Sequence, residues 1–143
     1  NINGGQGGFY FTRGMADSLT LIAGGIGITP LMSILRYVDE VAPSTPVALV
    51  HSANEPAELI FRNVIEHIGS YNGCVRYVPV ISRQTSVPWD GHTGRISTET
   101  LQDVPIDYES QFYVCGPPGM TNHTIGLLLK LGIPSPRLKF ERW

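Results

Sequence analysis

The sequence predicts an α/β domain built on a five-stranded, parallel, doubly wound sheet. Short apolar runs alternate along the chain with segments whose apolar residues recur at helical spacing, as in parallel strands joined by helices. Turns rich in glycine and proline follow two of the apolar runs, at residues 24–30 and 116–119. Ligands of such sheets bind beyond the carboxyl ends of the strands, where the strand order reverses. We therefore expect the functional site at these turns.

Composition limits the classes of function to consider. With 143 residues, 42% of them hydrophobic, the chain is long enough for one domain with a buried core. A net charge of −2 gives no basic excess for binding nucleic acid, and no apolar run approaches the roughly 20 residues that span a bilayer. Two cysteines make no disulfide framework, which favours a reducing compartment, and the histidines lack metal-ligand spacing. No targeting peptide is visible, so we expect an intracellular protein, cytoplasmic or mitochondrial. We also expect a monomer and no bound metal.

The first strand and the turn after it form the central motif. Residues 19–22 make a short apolar run, and the glycines that follow allow a tight turn. Thr29 is predicted to cap the next helix, with Pro30 as its first residue. Such a turn leaves free N–H groups and a positive dipole end, which suit a phosphate. An ordinary strand-to-helix turn that binds nothing is the alternative, and glycines and cap alone favour neither.

The first half of the chain continues the alternation. The apolar spacing predicts a helix over residues 30–41 and a buried strand over residues 47–50. A second helix presents Val64 on its apolar face and ends at Gly69. Residues 75–81 form the third strand, and its proline indicates a position at or near the sheet edge. Before all these, the aromatic residues 9–11 are typical of a short strand-like piece.

The second half contains the other glycine turn. Residues 82–95 form a long polar loop, and loops of this length are often functional. Ser97 is predicted to cap a short helix over residues 98–102. Residues 111–115 form the fourth strand, and the turn after it leads into a helix that ends near Leu131, with Leu129 on its buried face. Residues 137–143 form the final strand.

Several side chains near these turns have both a functional and a structural interpretation. Cys115 ends a buried strand, where a buried structural thiol is the commoner case. Glu141 and Trp143 lie on the same side of the last strand and suit proton handling and ring stacking, or else belong to a frayed terminal strand. Ser82 and Arg83 could hold a phosphate at an adenosine ribose, although exposed arginines are common.

Taken together, three motifs resemble a known family. The stretches Gly24-Gly-Ile-Gly-Ile-Thr-Pro30, Cys115-Gly-Pro-Pro-Gly-Met120 and Glu141-Arg-Trp143 resemble the NAD(P)-binding module of the ferredoxin–NADP reductase superfamily, which includes cytochrome b5 reductases and phthalate dioxygenase reductases. The resemblance covers the chain from about residue 17. It implies that residues 17–143 are the NAD(P)-binding domain and that residues 1–16 are an exit strand and linker from a flavin-binding β-barrel absent from this chain.

The resemblance also assigns roles to individual residues. It implies that Cys115, Glu141 and Trp143 are catalytic, with the aromatic ring covering the flavin until the nicotinamide displaces it. The residues implied to bind the dinucleotide are Gly24, Gly25, Gly27, Ile28, Thr29, Pro30, Ser52, Asn54, Ser82, Arg83, Gly116, Pro117 and Met120. The first turn departs from the usual Gly-x-Gly-x-x-Gly pattern, and His51 stands where a ribose-binding acid would be expected.

The function implied is the NAD(P)H-binding half of a flavin-dependent oxidoreductase. Hydride would pass from the nicotinamide C4 to N5 of an FAD held on the missing domain, and the electron acceptor is not indicated. Since no second basic residue accompanies Arg83, we favour NAD over NADP. The Arg-x-Tyr-Ser/Thr flavin motif is absent from the sequence, so we expect this chain alone to be inactive. The alternative is a dinucleotide-binding sensor or scaffold without catalysis.

Overall fold

The structure is a computed structural model that describes residues 9–83, 87–104 and 106–142. Its sheet is six-stranded, every pair of neighbouring strands is parallel, and the order is β4-β3-β2-β1-β5-β6. The strands are β1 (Leu19–Gly24), β2 (Val47–Ala53), β3 (Val75–Ile81), β4 (His92–Thr93), β5 (Gln111–Gly116) and β6 (Leu138–Arg142). The helices are α1 (Ile28–Val41), α2 (Arg62–Tyr71), α3 (Thr98–Gln102) and α4 (Pro118–Lys130).

The doubly wound α/β prediction is confirmed, although the sheet has one strand more than expected. The additional strand, β4, contains two residues, which are too few to produce a recognisable alternation of apolar side chains. It pairs with β3 only at Val80 and Ile81. Pro79 immediately precedes these residues, so the prediction that a proline-containing strand lies near the edge is also confirmed.

The core lies in two layers, one on each face of the sheet. Because successive strand residues point to opposite faces, neighbours along β1 contribute to different layers. Leu21 packs with α1 and α2, whereas Ile22 packs with α3 and α4. In β5, Tyr113 joins the first layer and Val114 the second, and all four side chains are fully buried. This arrangement covers both faces with helices.

The predicted start of the first helix was wrong by two residues. A 3-10 turn over Gly25–Gly27 leads directly into α1 at Ile28. Thr29 is exposed inside the first helical turn and does not cap it; the capping position is Gly27, which offers no side chain. The helical path begins early because Gly25 adopts a left-handed conformation, with φ of +56°, that turns the chain before any capping side chain is reached.

Two further helix predictions need correction. Gly69 lies inside α2, which continues to Tyr71, and Val64 is exposed. In α4, Leu129 is exposed because the helix buries the face that carries Leu128.

The predicted Ser97 cap of α3 is confirmed, and the end of α4 is closed by a glycine. Ser97 caps α3 by accepting a hydrogen bond from the Thr100 N–H. Past the end of α4, Gly132 has φ of +94°, its N–H bonds to the carbonyl of Leu129, and the N–H of Ile133 bonds to that of Leu128. These bonds are the Schellman pattern that a glycine after a helix permits.

The segment before β1 packs on the domain without forming a strand. Residues 9–16 lack strand structure, contrary to the expectation for residues 9–11. The Phe9 ring contacts Tyr113 edge-on at 5.5 Å, and Phe11 is buried beside Tyr37. Residues 1–8 lie outside the described part, and the origin of this segment in another domain stays a prediction.

Candidate functional site

A cleft of about 280 Å³ opens at the carboxyl edge of the sheet. The strand order reverses between β1 and β5, and the cleft lies at this switch point, where open α/β sheets bind ligands. Its lining residues come from the ends of β1, β2 and β3, the 3-10 turn after β2 (Pro56–Glu58), the loop before α3 and the start of α4. They are Gly24, Gly25, Ser52, Ala53, Asn54, Glu58, Ser82, Arg95, Ile96, Pro117, Met120 and His123.

The two glycine turns contact each other where a side chain would not fit. A Cβ added to Gly27 would lie 2.1 Å from the Cys115 carbonyl oxygen. A Cβ on Gly116 would lie 3.3 Å from the Gly24 Cα, and one on Gly24 would lie 2.9 Å from Sδ of Met120. Bare backbone therefore brings the start of α1 against the end of β5. The sequence prediction that both turns belong to one site depends on this approach.

Behind the first turn stands a buried histidine. His51, on β2, is fully buried; its Nε2 lies 3.1 Å from the Gly25 carbonyl oxygen and its Nδ1 lies 3.2 Å from the Tyr77 hydroxyl. Burial lowers the pKa of His51 and raises that of Tyr77, so the ring is neutral and the phenol keeps its proton. A carbonyl can only accept, so Nε2 carries the ring proton and Nδ1 accepts from Tyr77.

The first turn leaves its N–H groups without side-chain caps. Neither Gly24, which precedes the 3-10 turn, nor Gly27, which precedes α1, supplies a capping group. Because the 3-10 turn runs directly into α1, the N–H of Ile28 already bonds to the Gly25 carbonyl, and the N–H groups without a helical partner are those at the start of the 3-10 turn, at the positive end of the dipole. This edge of the cleft is therefore suited to an anion.

Polar side chains from β2 and β3 form the second wall of the cleft. The Ser82 hydroxyl donates to Oδ1 of Asn54 at 2.8 Å, which joins the segments that follow these strands. Ser52, near the end of β2, also lines the cleft. Glu58 adds a carboxylate residue to the same lining. This wall offers hydroxyl, amide and carboxylate oxygens, the groups that hydrogen-bond a sugar hydroxyl.

The third wall joins the loop before α3 to helix α4. Nε2 of His123 donates to the Ile96 carbonyl at 2.8 Å, which holds the end of the loop against α4. Beside this bond, Arg95 lines the cleft and is exposed, and it makes no hydrogen bond or ion pair with any other residue that the structure describes. Sequence reasoning did not assign Arg95 and His123 to the site, because only the folded position of the loop against α4 brings them there. The polar character of residues 82–95 was the available signal.

The structure places about half of the predicted dinucleotide contacts in the cleft. Those that line it are Gly24, Gly25, Ser52, Asn54, Ser82, Pro117 and Met120. Those that do not line it are Gly27, Ile28, Thr29, Pro30, Arg83 and Gly116. Gly27 and Gly116 are buried where the turns pack together, and Ile28 is a core residue. Gly27 and Gly116 thus belong to the contact between the two turns, and a direct contact of any of these six residues with a ligand stays a prediction.

Cys115 and Glu141 are neighbours, but the thiol does not face the cleft. The two residues are paired in register between β5 and β6. The Cys115 side chain is fully buried; burial, followed by the Glu141 charge, raises its pKa to about 12. The thiol therefore remains protonated at neutral pH and is not a nucleophile. Trp143, the third predicted catalytic residue, lies outside the described residues.

Within residues 9–83, 87–104 and 106–142, no group of three or more histidine, cysteine, aspartate or glutamate side chains is placed to hold a metal ion. None of the helices that the structure describes combines the length and the apolar character needed to cross a bilayer.

Comparison with known proteins agrees with the fold. A sequence model of the oxidoreductase NAD-binding domain matches residues 21–125. Oxidoreductase NAD-binding domain-containing protein 1 of Pongo abelii is 32% identical over 155 aligned residues, which cover 96% of this chain and 50% of that protein. The glycine betaine monooxygenase reductase subunit of Chromohalobacter salexigens is 33% identical over 119 residues, or 81% of this chain and 32% of that protein.

Among solved structures, the flavohem-like FAD/NAD-binding domain of nitric oxide dioxygenase from Vibrio cholerae superposes with a TM-score of 0.80 over 94% of this chain and 54% of that chain, at 21% identity. The chain therefore belongs to the oxidoreductase NAD-binding domain family, and its fold is that of ferredoxin reductase-like NAD-binding domains. It spans about half the length of the Pongo relative.

Proposed function

We propose that the cleft binds a nicotinamide dinucleotide and that the whole protein is a flavin-dependent oxidoreductase. The domain presents the nicotinamide for hydride transfer to N5 of an FAD held by a preceding domain. The observation that carries the proposal is the uncapped start of α1, whose left-handed glycine turn lines a cleft at the switch point of the sheet. Family membership supports the same ligand.

The pyrophosphate is assigned to the first turn. Gly24 and Gly25 line the cleft, and the N–H groups after them have no side-chain partner to displace. Backbone N–H groups and the helix dipole bind phosphate oxygens without a cationic side chain. From there the nicotinamide extends toward Pro117 and Met120 in the second turn, and the adenosine ribose toward the oxygens of Ser52 and Asn54.

The cleft favours NAD over NADP. A 2′-phosphate would require positive charge beside Ser82, but the Ser82 hydroxyl is bonded to Asn54 and Arg83 does not line the cleft. Glu58 does line it, and a carboxylate there would repel a phosphate. Arg95 provides positive charge on the opposite wall and is assigned to the pyrophosphate.

Cys115 and Glu141 act at the nicotinamide end of the cleft. The small, neutral Cys115 side chain supports the second turn from the core, and Glu141 stands next to it on β6. Pro117 forms the rim against which the nicotinamide ring lies. A bound flavin would accept the hydride. That the Trp143 ring covers this flavin is also part of the proposal.

Titration calorimetry with NAD⁺ and NADP⁺ tests the binding proposal. We expect saturable binding with preference for NAD⁺, and strong weakening in Gly25→Ala, because Gly25 has φ of +56°. Gly132→Ala is the matched control: it imposes the same kind of strain, at φ of +94°, beyond the far end of α4. If Gly132→Ala weakened binding as much as Gly25→Ala, or if neither dinucleotide bound at millimolar concentration, the assignment would be wrong.

The catalytic part of the proposal requires the whole protein. We expect NADH-dependent reduction of an artificial electron acceptor by the full-length flavoprotein and none by residues 1–143 alone. Dinucleotide binding without any reductase activity in the flavin-loaded full-length protein would favour the sensor or scaffold alternative.

A further inference from the structure

The Gly25 carbonyl oxygen is held on the side of the turn that faces β2. It accepts a hydrogen bond from the N–H of Ile28, within the 3-10 turn, and a second one from Nε2 of His51 at 3.1 Å. A carbonyl oxygen has two lone pairs, so both are occupied. Since a trans peptide is planar, the N–H of Ile26 points opposite to this carbonyl. The orientation of one peptide therefore decides whether an oxygen or an N–H faces a ligand.

His51 is itself fixed from behind. Its other ring nitrogen accepts from the Tyr77 hydroxyl at 3.2 Å, and the side chain is fully buried. In the sheet, His51 is paired with Ala23 of β1 and Pro79 of β3, so two neighbouring strands support it. Rotating the ring would break both hydrogen bonds inside the core, where lost bonds are not replaced by water.

We infer that His51 is a positioning residue for dinucleotide binding, and that Tyr77 fixes its tautomer. The pair keeps the Gly25 carbonyl away from the pyrophosphate and keeps the Ile26 N–H available to it. Without the imidazole donor, the peptide between Gly25 and Ile26 can flip and present the Gly25 carbonyl oxygen to the anion. The inference rests on the proposed function, because it assigns a role to His51 in that same site.

Three variants separate the hydrogen bond from simple packing. His51→Gln keeps a donor close to the position of Nε2, His51→Leu keeps the bulk but has no donor, and Tyr77→Phe removes only the second bond. By calorimetry with NAD⁺ we expect His51→Leu to bind about tenfold more weakly, since an anion then faces a reoriented peptide. His51→Gln should bind within about threefold of the wild type, and Tyr77→Phe should lie between them.

A destabilised core alone must not give the same result. Ile133→Ala truncates a side chain that is 2% exposed beyond the far end of α4, and it serves as the stability control. We expect it to lower the melting temperature at least as much as His51→Leu while leaving the NAD⁺ affinity unchanged. If His51→Leu melts lower but binds like the wild type, or if His51→Gln binds as weakly as His51→Leu at wild-type stability, the inference is wrong.

Nuclear magnetic resonance of the free protein tests the same role without a ligand. We expect the imidazole nitrogen shifts of His51 to report a proton on Nε2, and the amide resonance of Ile26 to move much further in His51→Leu than in His51→Gln, which loses the ring but keeps the donor. An unmoved Ile26 amide resonance in His51→Leu would overturn the inference even if the wild type bound NAD⁺ as proposed. Absence of NAD⁺ and NADP⁺ binding in the wild type, with the Ile26 amide responding as expected, would instead refute the proposed function and leave the bond between His51 and the turn in place.

Discussion

Gly27→Ala should disrupt the contact on which the whole cleft depends. The added Cβ would lie 2.1 Å from the Cys115 carbonyl oxygen and 2.6 Å from its carbonyl carbon. Ordinary contacts between non-bonded carbon atoms are about 3.5–4.0 Å, so the Cβ would lie about 0.9–1.4 Å too close to the carbonyl carbon, and the atoms that it meets belong to the backbone of Cys115. No rotamer change can relieve it, and α1 must move away from β5.

The magnitude follows from the kind of clash. Overpacking by flexible side chains costs about 1–3 kcal/mol, and a clash with rigid backbone belongs at or above the upper end of that range. A loss of about 3 kcal/mol is a large part of the 5–15 kcal/mol that stabilises a typical domain. For a domain of 143 residues it corresponds to a melting temperature lower by about 10 °C.

Urea denaturation, with calorimetric melting as a second measurement, checks this value. Gly126→Ala is the control, since the position is exposed in α4 and a Cβ there meets nothing within 4 Å. Alanine has the higher helix propensity, so this variant should be more stable by about 0.5–1 kcal/mol. Gly27→Ala with the stability and NAD⁺ affinity of the wild type would refute the reasoning.

Three other predictions follow from buried or charged groups. At pH 8 a thiol reagent should modify the partly exposed Cys74 of the native protein but not the buried Cys115, whose pKa is raised to about 12. Unfolding should make Cys115 reactive as well. Two rapidly reacting thiols in the native protein would contradict the burial of Cys115. Burial lowers the pKa of His51, so below pH 6.5, the ordinary pKa of histidine, the unfolded chain binds a proton that the folded chain does not. The free energy of unfolding should therefore decrease as the pH falls below 6.5, by at most about 1.4 kcal/mol per pH unit. The His51→Gln variant should lack this part of the pH dependence. Glu58→Gln should raise the NADP⁺ affinity relative to NAD⁺ by about threefold, as calorimetry can show, and an unchanged ratio would remove Glu58 from the specificity argument.

The elements that the sequence predicts well are those with long and regular patterns. The apolar runs of β1, β2, β3 and β5 and the helical spacing of α1 lead to the observed order of strands and helices. The two-residue strand β4 gives no such pattern. The predicted start of α1 was two residues too late because Thr29 is a good capping residue by type, whereas the left-handed Gly25 begins the turn earlier.

The candidate site could be predicted where one turn contains the whole signal, and not where the fold assembles it. Gly24 and Gly25 are adjacent in sequence and line the cleft together. Arg95 and His123 meet there only because a loop packs on α4. Arg83 directly follows Ser82, yet only Ser82 lines the cleft, and adjacency in sequence does not determine which neighbour faces a ligand.

The glycines of the first turn serve different physical needs, and this difference separates binding from packing. Gly25 is required for its positive φ, whereas Gly24 and Gly27 are required for close approach to Met120 and to the Cys115 backbone. A conformational requirement strains every L side chain whatever its size, while a requirement for space becomes milder when the facing atom belongs to a flexible side chain. Alanine at position 24 faces only the end of a methionine, so it should be tolerated better than alanine at position 27. If a dinucleotide phosphate also occupies that space, the order of tolerance in stability will differ from the order in NAD⁺ affinity, and this divergence marks Gly24 as a contact of the ligand.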